Sequence, residues 1–290
     1  MAVFLGLLVA IGYGSGDYFG GRASRGAPTV GVLFIAQTTA LLGAVVVALA
    51  VSGDVGGRDI AFGAAAGVLN ATGLGMLYRG LATGRMGVVA PVTAIVAAIV
   101  PITWGLASGE RPSSLTLIGV VLAVGAGGVV AREPDVPGEP PTTDARTALY
   151  LALGAGTAFG LSFICFAETS DGSGYWPLLI ARLTAVAVVG GAVVAVARHR
   201  DHRGNGPSAV LPRNQPLRLA IAAGALDLAA TVLLLTALRE GLVVVVAPMA
   251  ALAPAFTVIW AWALLKEPIT RHQVVGLALA LVGLVLIAAG

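Results

Sequence analysis

The chain has 290 residues, of which 58% are hydrophobic and 11% charged, with a mean hydropathy of +0.94 and a formal charge of +3. A soluble domain carries about 25% charged residues, so most of this chain cannot face water, which argues against a soluble enzyme, a disordered chain or a nucleic-acid binder. The single cysteine, Cys165, excludes an internal disulfide and a thiolate metal cluster.

A bilayer-spanning helix needs roughly 20 apolar residues. Apolar runs between polar punctuation predict spans at 2–21, 29–51, 60–80, 86–107 and 114–131. A second set follows at 147–167, 175–197, 217–238, 242–265 and 272–289. The first run lacks a basic leader and is followed by Gly14-Ser15-Gly16-Asp17 instead of an ordinary cleavage site, so it reads as a retained span. Arg132 to Arg146, with four acids and four prolines, reads as a linker, as does Arg198 to Pro216. The fold class expected is an all-α polytopic membrane protein. Residues 1–131 and 147–290 form two five-helix units, and 132–146 join them.

The two units repeat. At a fixed offset of 157, Pro91 falls on Pro248, Glu110 on Glu267, Gly84 on Gly241, Gly67 on Gly224 and Gly119 on Gly276. Val-Val-Ala-Pro at 88–91 recurs at 245–248. In the earlier spans, offsets of 146 and then 145 align Gly14 with Gly160 and Thr39 with Thr184. An odd number of spans per unit means the second enters the membrane with opposite polarity. Two inverted units leave a central site near the midplane, the usual basis of alternating access.

Each unit ends in a proline, then a glutamate beside a proline, then a glycine-bearing apolar helix. The two versions are APVTAIVAAIVPITWGLASGERPSSLTLIGVVLAVGAGG and APMAALAPAFTVIWAWALLKEPITRHQVVGLALALVGL. This resembles the EamA domain of the drug/metabolite transporter superfamily, present twice and extending over almost the whole chain. GYGSGDYFGGRASR also resembles the glycine-rich first helix of bacterial members, while Lys266 before Glu267 departs from the pattern. The resemblance implies a ten-helix secondary transporter, commonly an exporter of amino acids or other small metabolites, in a bacterial cytoplasmic membrane.

Ionisable groups at membrane depth are costly and mark candidate sites. Asp17, Arg182 and Asp227 lie well inside predicted spans. Arg182 stands opposite Gln37 at offset 145, and Asp227 opposite Asn70 at offset 157, so these four side chains are expected to converge on the central cavity. An Arg and an Asp there fit the carboxylate and amine of a zwitterion; the alternative is a structural ion pair. Asp17 sits one residue from the row Gly12, Gly16, Gly20, a small-residue face suited to close helix packing. A carboxyl held out of water there could exchange a proton and serve coupling, or simply bond a neighbouring helix. Tyr13, Tyr78, Trp104 and Trp260 are cavity candidates or interfacial anchors. Pro91 and Pro248, with Pro101 and Pro254 deeper, are candidate helix bends and gates.

Glu110 and Glu267 lie between spans and read as helix-entrance groups favoured by the macrodipole, with Thr270 and Gln273 spaced as a capping box. His199 and His202 lie among arginines that repel a metal cation. The only lysine is Lys266, so no P-loop is present, and no hydrolase motif appears. No catalytic role, cofactor or metal is expected. The partners expected are a small-molecule substrate, the lipid bilayer and a proton as coupling ion, with no nucleic acid and a monomer or homodimer as the assembly. Loops after odd-numbered spans, counted with Arg79 and Arg218 at the adjoining span ends, hold 13 Lys/Arg against three after even-numbered ones, which places both termini outside, whereas the resemblance places both in the cytoplasm. Either way the termini share a side. A transporter of a hydrophobic or lipid-like substrate, or a membrane assembly or sensory subunit that moves nothing, stands as the alternative.

Overall fold

The protein is described by a computed structural model covering residues 1–81, 86–130, 145–202, 210–265 and 270–290. Its helices are α1 (Ala2–Ser24), α2 (Thr29–Ala50), α3 (Gly57–Leu81), α4 (Met86–Ala107), α5 (Ser114–Val130), α6 (Ala145–Ala167), α7 (Trp176–His202), α8 (Asn214–Glu240), α9 (Val243–Ala250), α10 (Ala253–Trp260) and α11 (Arg271–Ala289). Among the described residues there is no strand. Seven helical stretches are long and apolar enough to cross a membrane, and Val92–Ala107, Ser114–Val129 and Arg271–Ile287 are shorter apolar helices.

Helices dominate because hydrocarbon offers no partner to a backbone N–H or C=O, and a helix satisfies both internally. Hydroxyls within the spans follow the same rule. Ser15, Thr38, Thr39, Thr72 and Thr236 each donate to the carbonyl four residues back. Thr270 and Gln273 form the expected capping box at the start of α11, with Thr270 N donating to Gln273 Oε1 at 2.9 Å. Large apolar side chains such as Leu42, Val46, Leu49, Val121, Leu281 and Val285 are exposed on the outer surface, where a bilayer would cover them.

The main packing partners come from opposite halves of the sequence. α1 lies along α8, α5 along α11, and α6 against both α3 and α4. α2 and α7 contact one another, with α2 also on α8 and α7 on α3. Missing side chains make the closest approaches possible. A Cβ on Gly12 would stand 2.8 Å from Ala230 Cβ on α8, so the glycine row of α1 does admit a second helix. The apolar core between the halves includes Val9, Leu178, Leu234, Leu235 and Val246.

Both termini lie at one end of the bundle, here the near face. Ala2 abuts Gly241, and Gly290 abuts Ser113 and Thr116. The connections 51–56 and 168–175 also meet there, through Asp54 N donating to Gly172 O at 2.9 Å. The opposite end is the far face.

The ninth predicted span, 242–265, is not one helix. It runs as α9, a turn at Ala251–Leu252, α10 and a wide helical turn over Ala261–Leu265. Pro254 has no N–H to offer Ala250 O, so the chain breaks there. The fourth span has Ala97 at the corresponding position, and α4 runs unbroken through Pro91 and Pro101.

Candidate functional site

Asp227 stands midway along α8, and Thr231, one turn later, shares its face. Arg182 reaches this point from α7, Gln37 from α2 and Tyr13 from the middle of α1. Arg182 Nη1 forms an ion pair with Asp227 Oδ2 at 2.7 Å and donates to Gln37 Oε1 at 2.9 Å. Its Nη2 donates to Thr231 Oγ1 at 2.5 Å. The Thr231 hydroxyl donates to the Asp227 carbonyl at 2.8 Å, and Tyr13 OH lies 3.2 Å from the same oxygen atom of Thr231. Two helices other than its own, α2 and α8, thus hold one guanidinium, and Tyr13 of α1 supports it through Thr231. Its side chain is 5% exposed, against 30% for Asp227. A charge so placed is tolerable only while its acceptors stay in place.

This polar layer separates two pockets. The near pocket, a narrow cleft, is lined by Tyr13, Asn70, Ser162, Phe163, Phe166 and Arg182 among others. Asn70 Oδ1 and Arg182 Nε are buried on its side of the layer without a hydrogen-bond partner. The far pocket, the roomier of the two, is lined by Tyr13, Asp17, Gln37, Leu74, Ala223 and Asp227 among others. Asp17 lines the far pocket beside Gly16 and Gly20, the face of α1 that packs on Ala223 of α8.

The structure therefore brings together Arg182, Asp227, Gln37 and Tyr13, with Asn70 and Asp17 in the adjoining pockets. It does not bring the tryptophans there. Trp260 Nε1 donates to Ser15 Oγ at 2.7 Å and its ring stacks on Tyr18, which joins α10 to α1. Trp104 is exposed near the end of α4, where Nε1 donates to Glu168 Oε1 at 3.2 Å. Pro248 is buried within α9. Tyr78 lies in α3 and Pro91 in α4, but their side chains, like all of Lys266 and Glu267, lie outside the described residues.

Thr231 escaped the sequence reading, although its place four residues after Asp227 is a usable signal. A second omission is the near-face seam. Arg58 of α3 pairs with Glu168, and Asp59 accepts from Ser170 N at 2.7 Å. Arg239 of α8 donates to Gly174 O at 2.6 Å and lies over the Tyr175 ring. These partners are far apart in sequence, and no spacing rule links them. Glu110 also has a different target from the one expected. It does not serve the helix that follows it but accepts from Val243 N at 2.8 Å and Val244 N at 2.9 Å, at the start of α9. The first N–H groups of a helix have no internal partner, and an anion suits them best.

Residues 146–289, from the end of the linker to the last helical turn, match the model of the EamA-like transporter family. The chain carries an EamA domain. With its apolar helices, this makes it an integral membrane protein of the drug/metabolite transporter type. A solved crystal structure superimposes on 99% of this chain and 98% of its own with a TM-score of 0.71, at 15% sequence identity. At that identity the likeness establishes a shared fold for the EamA protein and nothing about its cargo. None of the curated proteins compared with the chain matches it.

Proposed function

We propose that this EamA protein is a ten-span secondary transporter that exports a small polar metabolite, such as an amino acid, from a bacterial cytoplasm by alternating access between two inverted halves. The observation that carries the reading is the Arg182–Asp227 pair, held in a layer between two pockets that face opposite ends of the bundle. In this reading Arg182 receives a substrate carboxylate, Asp227 its amine, and Asp17 is the proton site in the pocket next to it. Gln37, Asn70 and Tyr13 complete the polar lining, while Pro91 and Pro248 shape the gates.

The repeat gains support from packing. A Cβ on Gly67 would stand 2.1 Å from Ala181 O, and one on the equivalent Gly224 would stand 2.2 Å from Ala36 O. Gly160 packs on Val100 and Pro101, while its counterpart Gly14 packs on Thr257, the counterpart of Val100. The pockets correspond as well, with Asn70, Ser162, Phe163 and Arg182 of one matching Asp227, Gly16, Asp17 and Gln37 of the other. The seam across the near face, with Asp17 and Asp227 lining the pocket beyond it, supports a state open toward the far face.

The test is release of a mixed metabolite pool from proteoliposomes, read by mass spectrometry, with and without a pH gradient. One compound leaving faster than from empty liposomes, and retained by Arg182→Ala or Asp227→Ala protein, is the expected result. Unchanged flux in both variants refutes the site. The same measurement on Asp17→Asn protein reads the coupling role, for which the pH gradient should lose its effect.

A further inference from the structure

Asn70 and Arg182 present an unusual coincidence. Each buries one polar atom without a partner, Oδ1 of Asn70 and Nε of Arg182, and both residues line the near pocket. One is an acceptor and the other belongs to a donor group with five N–H bonds in a fixed fork. The contact of Gly67 with Ala181 brings α3 and α7 backbone to backbone one turn from Asn70 and one residue from Arg182. The guanidinium now rests on Asp227, Gln37 and Thr231, of which Thr231 lines the near pocket with Asn70.

We propose that Asn70 is the second docking position of Arg182: when a cationic group takes the Asp227 carboxylate from the far pocket, the guanidinium turns to Asn70 Oδ1 and the layer between the pockets opens. The hand-over rests on the transport reading above and adds a positioning residue to it. Its logic is electrostatic. A cation arriving at Asp227 repels Arg182 and removes its anionic acceptor, leaving only Gln37 and Thr231, and a buried guanidinium short of acceptors is drawn to a further one. Asn70 supplies one that is neutral and so holds less strongly than a carboxylate. The guanidinium therefore returns when the cation leaves. The repeat places an acid and its amide at corresponding positions on α8 and α3, and the acid sets the resting position.

The experiment uses full-length protein with Cys165→Ser and one reporter cysteine, either Ala185→Cys in the near pocket or Leu33→Cys in the far pocket. Labelling rates with a small water-soluble maleimide are measured in proteoliposomes. Exchanging the acid and the amide, Asp227→Asn with Asn70→Asp, should accelerate near-pocket labelling about tenfold and slow far-pocket labelling, because reactivity follows the population of each state. Labelling unchanged at both reporters, or changed no more than by Asp227→Asn alone, overturns the proposal.

Asn70→Leu, which retains Asp227 and the resting contacts, gives a second reading if the exchanged protein does not fold. Methylammonium should accelerate near-pocket labelling of the parent and leave Asn70→Leu protein unaffected, and equal acceleration of the two overturns the hand-over. Flux is read on the same vesicles. Flux without a labelling shift refutes the hand-over alone, and a labelling shift without flux refutes the transport reading alone.

Discussion

Replacing Glu110 by alanine deprives Val243 N and Val244 N of their acceptors, which lie at 2.8 and 2.9 Å. Val244 is fully buried and Val243 is 7% exposed, so water cannot readily take over. A buried N–H left without a partner costs about 1–3 kcal/mol. Two of them, with the loss of an anion at the helix start, give an expected destabilisation of about 3–4 kcal/mol for Glu110→Ala. Glu110→Gln keeps one carbonyl oxygen as acceptor, loses the charge and sets an NH2 group against the other N–H, for about 2 kcal/mol. The assay is reversible denaturation in mixed micelles, followed by helical circular dichroism. The order wild type, Gln, Ala is the signature. Equal stability of all three, or a glutamine variant worse than alanine, refutes the idea that Glu110 caps α9.

The pair at the centre should behave as a buried ion pair. Asp227→Asn, which leaves Arg182 charged, costs about 2–3 kcal/mol after allowance for the exposure of Asp227. The double change Arg182→Met with Asp227→Leu should cost less than that single one, by the same denaturation assay. Packing predicts a graded result for glycines. Gly67→Ala and Gly224→Ala force a Cβ to about 2 Å from a carbonyl oxygen and should destabilise by similar amounts, whereas Gly20→Ala, with 3.7 Å to Ala223 Cβ, should change the midpoint little. At the near face, Arg58 is 64% exposed, so Arg58→Ala should cost under ~1 kcal/mol despite its contact with Glu168.

Most of the fold could be read from the sequence, for a physical reason. In a bilayer each span must be long, apolar and helical, so hydropathy alone locates elements. The fixed-offset repeat then indicated which residues share a depth, and Arg182, Gln37 and Asp227 do meet. The reading failed where a partner came from another part of the chain. Glu110 looked like a cap for its own neighbour because capping rules are local, yet its target lies 133 residues away. For Trp104 the reading left cavity and interface both open, because depth along a helix does not say which way a ring faces; its exposed ring near the end of α4 fits the second. Pro254 was legible as a bend, but a proline interior to an apolar run does not by itself say how many residues leave the helix, here Ala251–Leu252.

The interleaving of the halves bears on what counts as a part of this protein. Residues 146–289 are one unit to a family model, yet α8 rests on α1, α6 on α3 and α4, α11 on α5, and the start of α9 on Glu110. Cut at the linker, neither piece keeps the surfaces that its helices were shaped to touch. The segment that a family model recognises is therefore not a unit of packing, and a change in either half alters the fit of both.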